Sequence, residues 1–245
     1  MKSVKLFLGQ SINNSITALI NSNYKLLPYI PNGRYVTLDI MRSEEQINTI
    51  FDVGANIGQT CLSFIKAFPA STIYSFEPVS KTFEQLGTNA RKYANIKCFN
   101  LALGTKRESV SILSNQDTEI NSLKNIVKSD DTRAVCIDVE TAWNFCKDND
   151  ISSIDLLKID TEGYELEVLM GFDKDFLKNK VKFIYAETGF DRGDPLKTNY
   201  TDLASYLSGQ GFVTSGFYEP FRWGKAKLRL GFCNVLFINT NLIKT

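Results

Sequence analysis

The sequence predicts an α/β fold: a doubly wound, mostly parallel sheet that ends in an antiparallel C-terminal hairpin strand. Three observations carry that expectation. From Thr49 onward, apolar runs of strand length alternate with segments of helical periodicity, the pattern of βαβ units. The first run passes through a glycine-bearing turn straight into a helix. The last two runs, Phe212 to Phe217 and Phe232 to Ile238, have no clear helix between them, so they pair antiparallel at one edge. A chain of 245 residues suits one such domain, 49–245, preceded by an N-terminal cap, 1–48.

Each element has its own signal. In the cap, Ile12 to Ile20 has the pattern of a short amphipathic helix, and Pro28 with Pro31-Asn32-Gly33 marks a turn. Ile50 to Val53 reads as a strand, after which Ile57, Cys61, Phe64, Ile65 and Phe68 recur on one helical face. Thr72 to Phe76 is the second strand. Ser80 is expected to cap a helix carrying Phe83, Leu86 and Ala90 on one side. Ile96 to Asn100 is the third strand. Glu108 to Leu113 and Ala134 to Val139 are extra strands, with a helix near Trp143. Ile154 to Ile159 and Val181 to Ala186 complete the parallel set, separated by a helix from Tyr164 to Met170.

Composition excludes several functions. Lys plus Arg number 28 against 27 Asp plus Glu, so no basic excess equips the chain for nucleic acid. No apolar run reaches the ~20 residues of a transmembrane helix. The N-terminal apolar stretch is too short for a secretory signal. The five cysteines are widely spaced and lack a C-x-x-C pair, which suits small core residues in a reduced, cytoplasmic protein better than a disulfide framework or zinc site. Histidine is absent, which removes every mechanism built on an imidazole base or ligand.

The chemistry concentrates at the carboxyl ends of the strands. Asp52-Val53-Gly54-Ala55-Asn56-Ile57-Gly58 is a strand–turn–helix junction in which Gly54 permits a tight turn and Gly58 lets the first helical turn approach a ligand. A dinucleotide fingerprint requires G-x-G-x-x-G, and here Asn and Gln replace two of those glycines. Glu77 ends the second strand, where an acid can accept both ribose hydroxyls of an adenosine-containing ligand. Asp160 and Glu162 end the strand at the expected switch point and project into the same cleft, and Glu187 closes the next strand beside them. Glu165 and Glu167 read as helix-start charges. The loop between the last two strands, with Tyr218, Arg222 and Trp223, interleaves aromatics and cations and opens towards the cleft, which suits sugar or aromatic acceptors and also polyanions, an ordinary edge hairpin being the alternative.

These residues resemble the FkbM family of S-adenosylmethionine-dependent methyltransferases. The likeness runs through Phe51 to Gly58, Phe76-Glu77-Pro78, Leu101 to Gly104, Leu156 to Glu165 and Asn234 to Phe237, in the family's order. It implies a class I methyltransferase sheet, S-adenosylmethionine as cofactor, and O-methylation of a hydroxyl on a sugar, glycan, glycolipid or similar small molecule. By position, Gly54, Asn56 and Gly58 would line the methionine part of the donor and Glu77 would hold the ribose, with Asp52 also counted among the cofactor-binding residues. Asn100, Leu101 and Ala102 fall at the adenine, and Asp160 beside the sulfonium and acceptor. Without histidine, Asp160 or Glu187 is the expected base, with Glu162 assisting; Mg²⁺ held by Asp160 and Glu187 is the alternative. A nicotinamide-dependent oxidoreductase, a catalytically inert donor-binding module and a nucleic-acid methyltransferase, for which only the Arg222 to Arg229 loop supplies local positive charge, are the rival readings. The edge hairpin and the cap are candidate homodimer surfaces.

Overall fold

The computed structural model describes residues 33–113 and 134–244. The helix expected over Ile12 to Ile20 and the turn at Pro28 and Pro31 lie outside the described residues. In a seven-stranded sheet, β1 (Thr49–Val53) is flanked by β2 (Thr72–Phe76) and then β3 (Ile96–Phe99) on one side. On the other side come β7 (Ile154–Ile159), β8 (Val181–Gly189), β10 (Arg229–Asn239) and, at the edge, β9 (Phe212–Trp223). The first five strands pair in parallel, while β10 runs antiparallel to both β8 and β9. A second sheet joins β4 (Ala102–Gly104), β6 (Ala134–Thr141) and β5 (Glu108–Leu113) in that order.

Alternation along the central strands sets the layers, because successive strand residues face opposite sides. Ile50 packs with one cluster and Phe51 with the other. The Ile50 side is covered by α1 (Gly33–Arg42), α2 (Gln59–Ala67) and α3 (Ser80–Ala90), through Val36 and Ile40, Cys61 and Phe64, and Leu86. The Phe51 side is covered by α4 (Ala142–Asp148), α5 (Glu165–Met170), α6 (Lys174–Lys180) and α7 (Tyr200–Ser208). β7 is buried along its whole length, as a strand covered on both faces must be.

The sequence reading left α1, α6 and α7 without an assignment. Asn199 caps α7 by accepting from the Thr201 N–H, and Leu203 and Leu207 are its buried pair one turn apart. Asp173 caps α6 in the same way, accepting from the Phe176 N–H. Ser80, by contrast, is the first residue of α3 and no cap: its hydroxyl donates to Asn100 Oδ1. All five cysteines are free, and Cys61, Cys146 and Cys233 are buried, their thiols each pushed up to about 12 by burial. Cys136 faces solvent on β6 instead of entering the core.

Candidate active site

A cavity of about 710 Å³ opens beyond the carboxyl ends of β1, β2, β7 and β8, a volume within the range of small-molecule sites. Its floor is the turn after β1. The Gly54 and Ala55 N–H groups donate to the Phe76 carbonyl at 3.1 and 2.9 Å, fixing the turn against β2. Gly54 has φ +74°, and a Cβ there would lie 1.8 Å from the Asp160 carbonyl oxygen. No side chain fits. Asn56 adopts φ +48° without being glycine, a conformation held by the fold around it.

Glu77 faces this turn from the end of β2. One carboxylate oxygen accepts from the Asn56 N–H at 3.1 Å and the other from the Val79 N–H at 2.9 Å. Each oxygen keeps capacity for a further bond. Burial pushes the carboxyl up to about 7, against the opposing pull of the two N–H donors. The Asn56 side-chain oxygen is buried with no partner, so the turn presents an unspent acceptor. Leu101, Ala102 and Leu103 form one wall, and Ile112 and Ile137 of the small sheet extend it with apolar surface.

Beneath the turn lies a charged layer inside the sheet. Asp52 and Lys158 are directly opposed in the β1–β7 register, and Lys158 Nζ sits 3.2 Å from Asp52, 3.7 Å from Asp160 and 3.0 Å from the Gly54 carbonyl. Burial alone would lower the Lys158 ammonium, but the two carboxylates outweigh it and hold the group charged. Lys158 thus ties the glycine turn to the end of β7.

The opposite end of the cavity is acidic. Oxygens of Asp160, Glu162 and Glu187 all lie within 4.8 Å of one another. Lys197, from the loop between β8 and α7, reaches in to pair with Glu162 at 2.6 Å and with Glu187 more closely, and its Nζ stands 4.8 Å from the centre of the Phe232 ring. Burial and the adjacent Asp160 charge push the Glu187 carboxyl upward, with Lys197 opposing. Burial likewise raises Glu162. Asp160 is 36% exposed, open to the cavity and to solvent. Glu162, at φ +53°, turns the chain sharply just after β7.

The sequence-designated residues divide here. Gly54, Asn56, Glu77, Leu101, Ala102, Asp160, Glu162, Glu187 and Trp223 line the cavity. Asp52 lies below it, fully buried beside Lys158. Gly58, at φ +99°, starts α2, and a Cβ there would meet the Leu86 side chain at 3.0 Å, so it serves helix packing. The Asn100 amide donates to the Glu77 and Pro78 carbonyls and holds the loop after β2 instead of lining the wall. Tyr218 sits within β9, buried against Tyr185 and bonded to Asp39, on the far side of the sheet. Arg222 is exposed on the hairpin, outside the cavity. Glu165 is not a solvated helix-start charge: it accepts from the Thr161 and Gly163 N–H groups and from the Thr161 and Thr198 hydroxyls, clamping the loop that carries Asp160 and Glu162.

Several lining residues escaped the sequence reading. Lys158 had a legible signal, a lone cation inside an apolar strand run and opposite Asp52 in another. Lys197, Phe232, Ile112 and Ile137 had none, because loop and sheet contacts far apart in sequence bring them in.

Comparison with known proteins shows the family. The model of the Methyltransferase FkbM domain matches residues 52–214. "Methyltransferase 1" of Beauveria bassiana (strain ARSEF 2860) is 27% identical over 201 residues, 74% of this chain and 78% of that protein. Hexuronic acid methyltransferase AglP of Haloferax volcanii is 24% identical over 165 residues, 64% of each chain. Among solved structures, precorrin-6y C5,15-methyltransferase of Geobacter metallireducens GS-15 is similar at 14% identity and a TM-score of 0.45, covering 84% of this chain and 86% of that one. TrmK of M. capricolum, solved with the cofactor product S-adenosylhomocysteine, is similar at 12% identity and a TM-score of 0.46, covering 82% and 67%. With the family model spanning most of the sequence and the glycine turn, Glu77 and Asp160 all inside it, the chain belongs to the FkbM methyltransferase family and uses S-adenosylmethionine as its cofactor.

Proposed function

We propose that this methyltransferase acts on a hydroxyl oxygen of a sugar, glycan, glycolipid or similar polyhydroxylated small molecule. The observation that carries the reading is the Asp160–Glu162–Glu187 cluster at the end of the donor cavity, in a chain with no histidine to act as base. The Haloferax relative, named for a uronic acid, supports a sugar acceptor.

S-adenosylmethionine supplies a methyl group already activated by its sulfonium. The chain's own contribution is positioning and one proton. Gly54, Ala55 and Asn56 would take the methionine end, Glu77 the ribose hydroxyls, and Leu101, Ala102, Ile112 and Ile137 the adenine. Glu187 or Asp160 then accepts the proton of the acceptor hydroxyl as its oxygen becomes nucleophilic. A buried carboxylate whose pKa is raised is a better base near neutral pH than a solvated one. Lys197 keeps the charge of the cluster within bounds. Trp223 offers an aromatic face at the mouth of the cavity for an acceptor ring.

A second reading, Mg²⁺ held by Asp160 and Glu187, is favoured by the spacing of the three carboxylates. It must displace the ammonium of Lys197, which already pairs with two of them. Turnover unaffected by a chelator would remove this reading. The main test is calorimetric titration of S-adenosylmethionine and of NADH, with Glu77→Ala alongside, followed by an acceptor screen over sugars with Asp160→Asn, Glu162→Gln and Glu187→Gln. Turnover that survives all three amides with donor binding intact would sink the proposed base. Donor binding with no turnover on any acceptor would favour an inert module.

A further inference from the structure

The hairpin between β9 and β10 projects beyond the rest of the sheet. The last β8–β10 pair is Gly189 with Phe232, yet β10 begins at Arg229 and pairs its first two residues only with Arg222 and Trp223 of β9. That overhang is about 10 Å of two-stranded ribbon before the turn itself. Every residue from Arg222 to Arg229 is exposed.

The chemistry of this finger is uneven. Arg222, Lys225, Lys227 and Arg229 lie within eight residues, and no Asp or Glu occurs from Pro220 to Thr245. Arg229 is neutralised by Asp191. Lys227 donates to the Arg222 carbonyl and lies 5.2 Å from the Phe221 ring centre, neither of which cancels its charge. Among the described residues, no ion pair neutralises Arg222, Lys225 or Lys227. In a chain of net charge +1, this is a local concentration and not a global excess. At its outer turn stands Leu228, 84% exposed, the most exposed large apolar residue described, with half-exposed Trp223 at the base.

We propose that this finger docks the enzyme on an anionic lipid bilayer, with Leu228 entering the interface and Arg222, Lys225 and Lys227 meeting the headgroups. Cations alone would suit any polyanion. An exposed leucine set among them favours a surface with both negative charge and an apolar interior. Trp223 and Phe232 line the catalytic cavity, so docking would set the cavity mouth against the membrane. The inference is independent of which acceptor is methylated.

Sedimentation of the full chain with vesicles of phosphatidylcholine alone, and of phosphatidylcholine with phosphatidylglycerol, tests it. Binding to the anionic vesicles only, weakening as salt is raised, is expected. Leu228→Glu and the double variant Lys225→Glu, Lys227→Glu should each lower the bound fraction's partition coefficient by about tenfold or more, each charge near the surface being worth several-fold. Unchanged thermal midpoints would show that the exposed turn has been altered without loss of fold. No binding to anionic vesicles, or binding that neither variant weakens, overturns the proposal. So does retention on heparin without vesicle binding, which would assign the finger to a soluble polyanion.

Discussion

The two ends of the cavity are built in different ways. The end proposed for the donor is made of backbone: a turn tied by main-chain hydrogen bonds to β2, a glycine with no room for a Cβ, and Glu77 held by two N–H groups. The end proposed for the acceptor is made of side chains from separate segments, with three carboxylates within 4.8 Å of one another and Lys197 paired with two of them. A backbone site tolerates little variation, whereas a side-chain site can be rebuilt one residue at a time. One fold can therefore keep one donor while acceptors change.

The sharpest break in that comparison is Gly54→Ala. The positive φ and the 1.8 Å approach to Asp160 leave nowhere for the methyl group. Calorimetry should find S-adenosylmethionine binding lost, with a fall in stability of roughly 3 kcal/mol or more from the forced backbone shift. Donor affinity within a few-fold of the parent chain would show that the turn has more freedom than its contacts imply.

Lys158→Met comes next. It leaves Asp52 fully buried with no counter-charge, a loss expected to cost about 3–5 kcal/mol in chemical denaturation. Asp52→Asn in the same background should recover part of it. An isolated loss at Lys158 with no recovery would place the effect in the Gly54 carbonyl contact instead.

Glu187→Gln should lower kcat by about 10²-fold or more while leaving the donor Kd within a few-fold, because the residue stands at the end proposed for the acceptor. An equal loss in donor binding would erase the division between the two ends.

Glu77 gives the comparison a pH signature. Its folded carboxyl titrates at about 7 against an ordinary value of 4.5. A raised carboxyl means the folded state holds the proton more tightly than the unfolded one. Its contribution to stability is therefore present below pH ~4.5, declines as pH rises and is gone above pH ~7. Denaturation of the donor-free protein should lose stability across that window, and Glu77→Gln should flatten this part of the profile. Donor affinity should rise through the same window if, as proposed, the ionised carboxylate accepts from both ribose hydroxyls.

The smallest expected effect is at Asn100. Its amide bonds the Glu77 and Pro78 carbonyls and the Ser80 hydroxyl, so Asn100→Ala should cost roughly 1–2 kcal/mol of stability and change donor affinity by less than about threefold. A larger loss of binding would return Asn100 to the adenine site that its sequence position implied.

The amino-acid sequence by itself determined the sheet, the glycine turn after β1 and the acid at the end of β2, because each is a local pattern. A strand period of two, a helical period and the glycines of a turn are all written within a dozen residues. Asp160, Glu162 and Glu187 were legible for the same reason, each lying at a strand's carboxyl end. Only the tertiary structure decided which of these meet, and what meets them. Lys197 reaches Glu162 across 35 residues of chain, and Ile112 and Ile137 arrive from a second sheet. Tyr218 was misplaced because strand β9 continues through it to Trp223, so strand alternation and not loop position sets its direction. Glu165, apparently a helix-start charge, is a clamp because Thr198 comes from another loop to complete its bonds. Contacts of this kind depend on the packing of distant segments, and no local periodicity records them.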